Sequence, residues 1–539
     1  MKLQEDFIGA INQSIDEYEL VAVCYRELLR YKKDTDNIFI TRIGHLAEDP
    51  EYKIYATQFE ELRENILFSA KKMNVNDDDA GSGFESFKMS LIEQFNNFSC
   101  PEMLSENICI PICIFYTLEA MDSYVENNLE QVFDTYKSCG PLNKGESNKD
   151  CLLYLQEKTS FFSDAYEGKE GFRKPMRSAR IGAMFHSFLL LEKNRLSHIP
   201  QINPIFITES CKNSLIQKKI KIIAIPYIGY DTFRFCSLNS VGDCKASEIT
   251  GPFYVDYVPE YEDDNIKKII ELLDAAIQKE ANIIVFPEFI MSEGMKNAIK
   301  RHLFQMPVQC KKNLMMVFMG TNYQWNKEKC KGNNILYVFN ANGNEVGSYF
   351  KYSPFLVQSE EKIHGVKIST SKESNLPKRR QYCQKCEILS SPGEKCTLFD
   401  LVGVGRILPA ICRDVIDGEF TLFLANIFMP SLLIVPAWSK SVNSFDARLI
   451  SLADTIHTSA LVCNCCNAVD PRRKVIGRFY MPAKKRTYMN AKVIDLCRNG
   501  NCKKDCKTNN GCMFEIEIDF ASGKPQCKLL STLLHQKSN

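Results

Sequence analysis

The sequence has no excess of charge of either sign, and its first residues do not resemble a secretory signal. Across 539 residues, 67 Lys and Arg stand against 66 Asp and Glu, which leaves a formal net charge of +1. Because nucleic-acid binding proteins carry a basic surface, this balance argues against that class. The first six residues contain early acids and no apolar stretch followed by a cleavage site, so we expect a cytoplasmic protein.

Long apolar runs and two common catalytic motifs are also missing. The longest uncharged run, 420–439, is interrupted by Asn426, Pro430 and Pro436, so we expect no membrane span. No Gly-x-x-x-x-Gly-Lys-Ser/Thr phosphate loop occurs, and the 7 histidines are scattered without a Ser-His-Asp pattern. With 45% hydrophobic and 25% charged residues, the composition is typical of a globular protein.

Cysteine, in contrast, is abundant, with 23 residues. In a cytoplasmic protein these are expected to be reduced thiols with roles in catalysis, metal binding or packing. Two clusters have spacings that a structural zinc ion can use, either separately or as a composite site. Reduced loop thiols are the open alternative. The zinc candidates are Cys383, Cys386 and Cys396 in the first cluster, and Cys497, Cys502, Cys506 and Cys512 in the second.

The first part of the chain has the apolar periodicity of helices. Between Ile8 and Leu28, apolar residues recur every three or four positions, which predicts one long helix, and similar stripes follow around 54–67, 84–95, 113–136 and 177–193. Pro200 and Pro204 oppose helix continuation. We therefore predict an all-α accessory or interaction domain over 1–205, a linker over 206–217 and a second domain over 218–530.

The second domain alternates strand and helix patterns. The β-branched run 220–225 precedes an amphipathic stretch over 265–277 and a second apolar run over 283–286. This order of elements predicts an α/β domain.

Three chemically capable side chains each follow a predicted strand of that domain. Glu288 follows the run 283–286, Lys351 follows a hairpin whose turn is Asn342-Gly343, and Cys412 follows the run 404–411. Residues at strand ends are typical of sites in α/β sheets. Each residue alone is more often a surface charge or a packed thiol, so the prediction depends on their joint placement.

These segments resemble the nitrilase, or carbon-nitrogen hydrolase, superfamily, whose triad is Glu, Lys and Cys in that order. Pro287-Glu288 resembles its strand-end glutamate, Lys351 its lysine, and Cys412-Arg413-Asp414 its nucleophile segment. Val435-Pro436-Ala437-Trp438 resembles the strand and turn after the nucleophile. The resemblance covers about 218–525 and implies a four-layer α-β-β-α sandwich.

The resemblance implies hydrolysis of a nonpeptide amide, nitrile or carbamoyl C–N bond, or transfer of its acyl group, with amidase favoured. Cys412 would be the nucleophile that forms a thioester, Glu288 its base, and Lys351 an oxyanion donor. No cofactor is required for this chemistry, and a homodimer or larger oligomer is implied. A second glutamate after the lysine is expected in a supporting role, for which Glu360 is favoured over Glu361.

Arg413 and Trp438 complete the supporting residues. Arg413 replaces the aromatic residue that the superfamily usually has after the nucleophile. It could adapt the pocket rim to an anionic substrate, since arginine pairs with carboxylates, or it could be solvated.

Two other functions remain open. The nitrilase-like domain could be a small-molecule sensor or scaffold subunit whose partner binds 1–205, since such domains also occur in bacterial defence proteins. A zinc-dependent nucleic-acid adaptor is the weaker alternative, because the net charge is near neutral.

Overall fold

The computed structural model describes the following residues: 2–14, 16–30, 53–73, 80–98, 106–127, 151–155, 188–192, 200–205, 219–226, 233–237, 252–355, 386–401, 405–456, 458–466, 468–469, 475–482, 491–496, 512–519 and 526–534. Within this part of the chain there are two compact units, whose boundary lies between Ile202 and Asn203. The predicted linker 206–217 is outside the described residues, so its extent stays a prediction.

In the part of the first unit that the structure describes, five helices share a hydrophobic core, which includes Ile11, Tyr18, Ile66, Leu91 and Met121. The predicted helical stripes over 54–67, 84–95 and most of 113–136 correspond to three of these helices. The helices are α1 (Lys2–Gln13), α2 (Glu17–Arg30), α3 (Lys53–Lys71), α4 (Ala80–Asn97) and α5 (Glu106–Asn127).

The prediction of one long helix over the first thirty residues is wrong. Asp16 Oδ1 accepts hydrogen bonds from the amides of Tyr18 at 3.1 Å and Glu19 at 2.8 Å. These are the second and third residues of α2, so Asp16 is its N-cap. The chain therefore stops and restarts between α1 and α2, although the apolar spacing continues across the break.

The prediction that 1–205 is all α is also wrong in part. The unit contains β1 (Cys151–Leu155) and β2 (Phe188–Glu192), which pair antiparallel from Cys151 opposite Glu192 to Leu155 opposite Phe188. Both segments are short apolar runs, and periodicity alone does not distinguish a short strand from a piece of buried helix. A third strand, β3 (Gln201–Ile205), spans the boundary between the units.

The described strands of the second unit, together with β3, form two mixed sheets of seven strands each, as expected for an α/β domain. Parallel strands form the centre of each sheet, and antiparallel strands flank them. The elements of the first half are β4 (Lys219–Ala224), β5 (Phe233–Ser237), β6 (Phe253–Tyr257), α6 (Glu262–Gln278), β7 (Ile283–Val285), α7 (Glu293–Gln305), β8 (Met316–Asn326), β9 (Lys331–Asn340) and β10 (Glu345–Phe350).

The second half supplies most of the other sheet. Its elements are β11 (Thr397–Leu401), β12 (Gly405–Pro409), α8 (Arg413–Asp417), α9 (Glu419–Phe428), β13 (Leu432–Ala437), α10 (Asp446–Ile456), β14 (Ser459–Asn464), β15 (Gly477–Met481), β16 (Lys492–Leu496), β17 (Cys512–Asp519) and β18 (Gln526–Leu534). The strand orders are β10-β9-β8-β7-β4-β17-β18 and β16-β15-β14-β13-β12-β11-β3. A separate hairpin pairs β5 with β6.

Side chains of the two sheets meet in the core. The Cys463 thiol of β14 donates to the carbonyl of Val285 on β7 at 3.5 Å. The rings of Phe318 on β8 and Phe399 on β11 lie edge to face, with centroids 6.0 Å apart. These contacts pack the two sheets against each other, while the full four-layer arrangement stays a prediction.

Candidate active site

Glu288 lies in the turn that follows the central strand β7. The turn packs against Gly320, whose φ of +72° belongs to the left-handed region that favours glycine. A Cβ at Gly320 would collide with the Pro287 carbonyl and the Ile290 side chain. The amide of Phe289 donates to Thr321 Oγ1 at 2.9 Å. Strand β8 thus fixes the backbone on both sides of Glu288.

Lys351 follows the second strand of the β9–β10 hairpin, as predicted. The turn depends on Gly343, with φ of +74°, and on Asn340, whose Oδ1 accepts from the amides of Asn342 at 2.9 Å and Asn344 at 3.0 Å. Beyond the strand, the Lys351 amide donates to the Asn334 carbonyl at 2.9 Å. The ammonium group is therefore delivered to a buried position.

Cys412 lies between β12 and the short helix α8. Its backbone has φ of +42°, an uncommon value for a residue with a side chain, and its amide donates to the Pro436 carbonyl at 3.0 Å. Asp414 holds this turn. Its carboxylate accepts from the amides of Ser353 at 2.5 Å and Tyr352 at 3.1 Å, next to Lys351, and from the Ile411 amide at 3.3 Å.

The three predicted catalytic residues meet in one buried group. The Lys351 Nζ lies 2.7 Å from Glu288 Oε1. The Cys412 thiol donates to the Trp438 carbonyl at 3.9 Å, and it lies close enough to Glu288 for that charge to raise the pKa of the thiol. The side chains of Glu288 and Lys351 are at most 1% exposed. A nucleophile, a carboxylate and an ammonium group are thus side by side and shielded from water.

A second carboxylate, Glu387, completes the group. Its Oε2 accepts from the Lys351 Nζ at 2.6 Å and from the Phe355 amide at 2.9 Å. The amide nitrogen of Asn334 joins the two carboxylates, because it lies 3.0 Å from Glu288 Oε1 and 2.9 Å from Glu387 Oε1. Lys351 is therefore held between two acids whose spacing is set by Asn334.

Residues 254–440, which contain all of these groups, match the family model of carbon-nitrogen hydrolases. The chain contains a nitrilase-superfamily domain. No curated protein sequence matches the chain.

Several solved structures resemble part of the chain, and the first of them is described as a member of branch 10 of the nitrilase superfamily. Nit3 of Saccharomyces cerevisiae is 16% identical, with a TM-score of 0.30, over 52% of this chain and 90% of its own. An amidase from Nesterenkonia sp. is 11% identical, with a TM-score of 0.31, over 53% of this chain and 95% of its own. The Caenorhabditis elegans NitFhit protein is 13% identical, with a TM-score of 0.30, over 57% of this chain and 62% of its own.

Burial dominates the electrostatics of the nitrilase-superfamily site. It raises the pKa of Glu288, an effect that Lys351 opposes and Glu387 reinforces. Burial lowers the pKa of Lys351, but the two carboxylates outweigh it and raise that pKa above its usual value. Burial and the Glu288 charge raise the pKa of the Cys412 thiol well above its usual value. The resting site therefore holds a thiol, not a thiolate.

The supporting residues predicted from the sequence have different outcomes. Trp438 belongs to the site through its backbone, because its amide donates to Glu288 Oε2 at 3.0 Å. The Arg413 Nε lies 2.7 Å from the carboxylate of Asp417, one helical turn away, and the Arg413 side chain is 21% exposed. Glu360 lies outside the described residues, so its supporting role stays a prediction. Among the described residues, the second carboxylate that contacts Lys351, besides Glu288, is Glu387.

The zinc prediction is only partly covered by the described residues. Cys396 is buried, Cys386 is partly buried, and the backbone of Cys512 lies in β17. Cys383, Cys497, Cys502 and Cys506 lie outside the described residues. Within the described part of the chain, no group of three His, Cys, Asp or Glu residues is arranged to hold a metal ion. The structural zinc site stays a prediction.

Sequence reasoning missed Glu387, Asn334 and the positioning role of Asp414. Glu387 is the acid directly after Cys386, and it lies 36 residues beyond Lys351, so the long intervening segment concealed it. Asn334 starts the predicted strand 334–339, and nothing in the strand pattern marks its side chain as functional. For Asp414, the available signal in the sequence was its place in the Cys412-Arg413-Asp414 segment, which resembles the nucleophile segment of the superfamily.

No described helix is long and apolar enough to cross a membrane.

Proposed function

We propose that the protein hydrolyses a nonpeptide amide, or transfers its acyl group, through a thioester on Cys412. Glu288 takes the thiol proton as sulfur attacks the acyl carbon, and the carbonyl electron pair moves to oxygen. The tetrahedral intermediate collapses, Glu288 gives its proton to the leaving amine, and the C–N bond breaks. Water or another nucleophile, deprotonated by Glu288, then attacks the thioester and releases Cys412.

The observation that carries this proposal is one buried group in which Lys351 Nζ lies 2.7 Å from Glu288 and the Glu288 charge acts on the Cys412 thiol. Keeping a desolvated charged group costs stability, so a scaffold gains nothing from it. The raised pKa of Glu288 supports its role, because a base works best when its pKa approaches the working pH.

We propose that Lys351 and a backbone amide stabilise the oxyanion. The Arg413 amide belongs to the first residue of α8, where helix amides have no intrahelical acceptor. Losing one such donor typically costs about 3 kcal/mol of transition-state stabilisation. These groups belong to the protein itself, so the proposed reaction needs no cofactor.

The test is intact-protein mass spectrometry after incubation with a mixed library of simple amides. The wild-type protein is compared with Cys412→Ala and Glu288→Gln, and the other cysteines are the internal control. We expect an acyl adduct on Cys412 that both variants lack, together with ammonia release by the wild type. Absence of both an adduct and ammonia release with every amide would overturn the proposed function.

A sensor or scaffold role is the second candidate, and the separate core of the first unit favours it. In that case residues 1–205 bind a protein partner, and the nitrilase-superfamily domain binds a small molecule without turnover. Cys412→Ala distinguishes the two functions, since it abolishes catalysis but leaves a scaffold intact. The homo-oligomer implied by the superfamily resemblance is a further proposal, which the molar mass in solution tests.

A further inference from the structure

Five aromatic side chains form one cluster next to the catalytic group. Trp438 is its centre, and its ring centroid lies 5.4 Å from that of Phe235, 6.0 Å from Phe355, 6.2 Å from Phe233 and 6.3 Å from Phe289. All four pairs are edge to face, which is a favourable geometry for aromatic rings. We call these residues the aromatic cluster.

The aromatic cluster is attached to the catalytic residues through the backbone. Trp438 contacts Glu288 with its amide and Cys412 with its carbonyl. Phe289 directly follows Glu288, and its ring centroid is 5.5 Å from the Lys351 Nζ. The Phe355 amide donates to Glu387. These contacts attach the residues of the aromatic cluster to Glu288, Lys351, Glu387 and Cys412.

The five rings differ in their access to solvent. Phe289 is 1% exposed, and Phe235 and Trp438 are each 5% exposed. Phe233 and Phe355 are only partly buried. Phe233 and Phe355 are therefore the two residues of the aromatic cluster that solvent reaches most.

The charges around the thiol disfavour a charged acyl group. Glu288, Glu387 and Lys351 together carry a net charge of −1 when both acids are ionised, which repels an anion. Each of the four carboxylate oxygens already accepts a hydrogen bond, so a substrate cation would find its potential partners occupied. The Arg413 guanidinium is engaged by Asp417, which weakens the case for Arg413 as an anion receptor.

We infer that the protein acts on amides with an uncharged, apolar acyl group, such as an aryl-substituted or branched alkyl group, and that Phe233 and Phe355 contact this group. The inference rests on the proposed function. It assigns Phe233 and Phe355 as specificity-determining residues that leave the proton transfers to Glu288. Burial of an apolar acyl group against these rings contributes to binding in proportion to the area removed from water.

The test compares kcat/KM for phenylacetamide and isovaleramide with that for acetamide and for succinamic acid, whose acyl group carries a carboxylate. Ammonia release is the readout. We expect kcat/KM for phenylacetamide to exceed that for succinamic acid by about 100-fold or more, in the range that pocket contacts give. Phe355→Ala and Phe233→Ala should each lower the phenylacetamide to acetamide ratio by about tenfold.

Two controls separate specificity from folding. Phe355→Leu keeps apolar volume and should restore most of the ratio, and Phe304→Ala, which removes a ring that is 75% exposed on α7, should leave the ratio unchanged. Equal kcat/KM values for phenylacetamide and succinamic acid would overturn the inference, as would a ratio that neither alanine variant changes. Ammonia release in either case would leave the proposed function standing.

A binding measurement covers the case in which no amide is turned over, which would overturn the proposed function. Phenylacetamide is titrated into Cys412→Ala, with tryptophan fluorescence as the readout, since Trp438 is the centre of the aromatic cluster. Saturable binding that Phe355→Ala weakens would support the apolar site independently of catalysis. Absence of saturable binding, or tighter binding of succinamic acid, would overturn the inference.

Discussion

The Nζ of Lys351 lies 2.6 Å from Oε2 of Glu387, a residue 36 positions further along the chain. This contact gives the lysine a second carboxylate besides Glu288. With Lys351 as its only charged neighbour, Glu288 would be a weaker base, because the ammonium charge lowers its pKa. The Glu387 charge offsets part of this effect. Glu387 thus helps Glu288 to keep a raised pKa while Lys351 stays charged.

Glu387→Gln tests this role. The substitution keeps the shape but removes one negative charge, so we expect the pKa of Glu288 to fall and Lys351 to shift from its present position. Misplacing a group by about 1 Å can cost about 100-fold in rate, and we expect a fall in kcat of that order with little change in KM. The acidic limb of the pH profile of kcat should shift to lower pH.

Glu387→Asp is the matched control, because it keeps the charge and shortens the side chain. It should retain the wild-type pH midpoint even where kcat is reduced. A Gln variant with normal kcat and an unchanged pH midpoint would show that Glu387 has a structural role only.

The pKa of the Cys412 thiol provides an independent test of the effect of the Glu288 charge. The Glu288 carboxylate contributes to the raised pKa of the thiol, so Glu288→Gln should lower that pKa and shift iodoacetamide labelling of Cys412 to lower pH. Turnover of amides should nevertheless fall by about 100-fold or more, because the proposed general base is lost.

Site-resolved mass spectrometry measures the labelling rate of Cys412 against pH in both proteins. Cys310, an exposed thiol, is the internal reference. Labelling that shifts to higher pH in Glu288→Gln would contradict the proposed electrostatics, whatever the effect on turnover.

The order of elements in the second unit was predictable because its segments have clear patterns. The buried parallel strand before Glu288 is a continuous apolar run, and the turn before Lys351 contains an Asn-Gly pair with one obvious conformation. The placement of Cys412 after a buried strand follows the same logic. Local sequence therefore identified three residues that the fold brings together from positions 288, 351 and 412.

What could not be predicted depends on contacts between distant segments. Glu387 is selected by its pairing with Phe355 across the segment that follows Lys351, and no local pattern reports that pairing. Asn334 is an ordinary strand residue until its side chain is placed between two acids. In the first unit, the break at Asp16 depends on a cap whose signal, one aspartate, is weak beside a continuous apolar stripe.

We expect Asp414 to make the free energy of unfolding depend on pH. Burial raises its pKa from 3.8 to about 7, so the folded state binds a proton that the unfolded state has released between these values. Stability should therefore fall as pH rises through this window, by up to about 1.4 kcal/mol per pH unit from this group, and the effect should level off above about pH 7. Asp414→Asn, which cannot titrate, should remove this slope.

Urea unfolding at pH 5, 6, 7 and 8 measures the effect. Tryptophan fluorescence reports on the second unit, because the two tryptophans, Trp325 and Trp438, both belong to it. We expect the stability difference between the wild type and Asp414→Asn to shrink with rising pH. A difference that is constant from pH 5 to pH 8 would contradict the raised pKa.

A substitution at Gly343 tests whether the turn conformation of the backbone constrains the hairpin that carries Lys351. Its φ is +74°, and a Cβ at this position would lie 2.5 Å from the Lys300 carbonyl oxygen of α7, which is backbone and has little freedom to move. Gly343→Ala should therefore destabilise the second unit by about 1–3 kcal/mol in urea unfolding. Asn342→Ala, an exposed neighbour in the same turn, should change stability by about 0.5 kcal/mol or less. Equal effects of the two substitutions would mean that the turn conformation does not constrain the hairpin that carries Lys351.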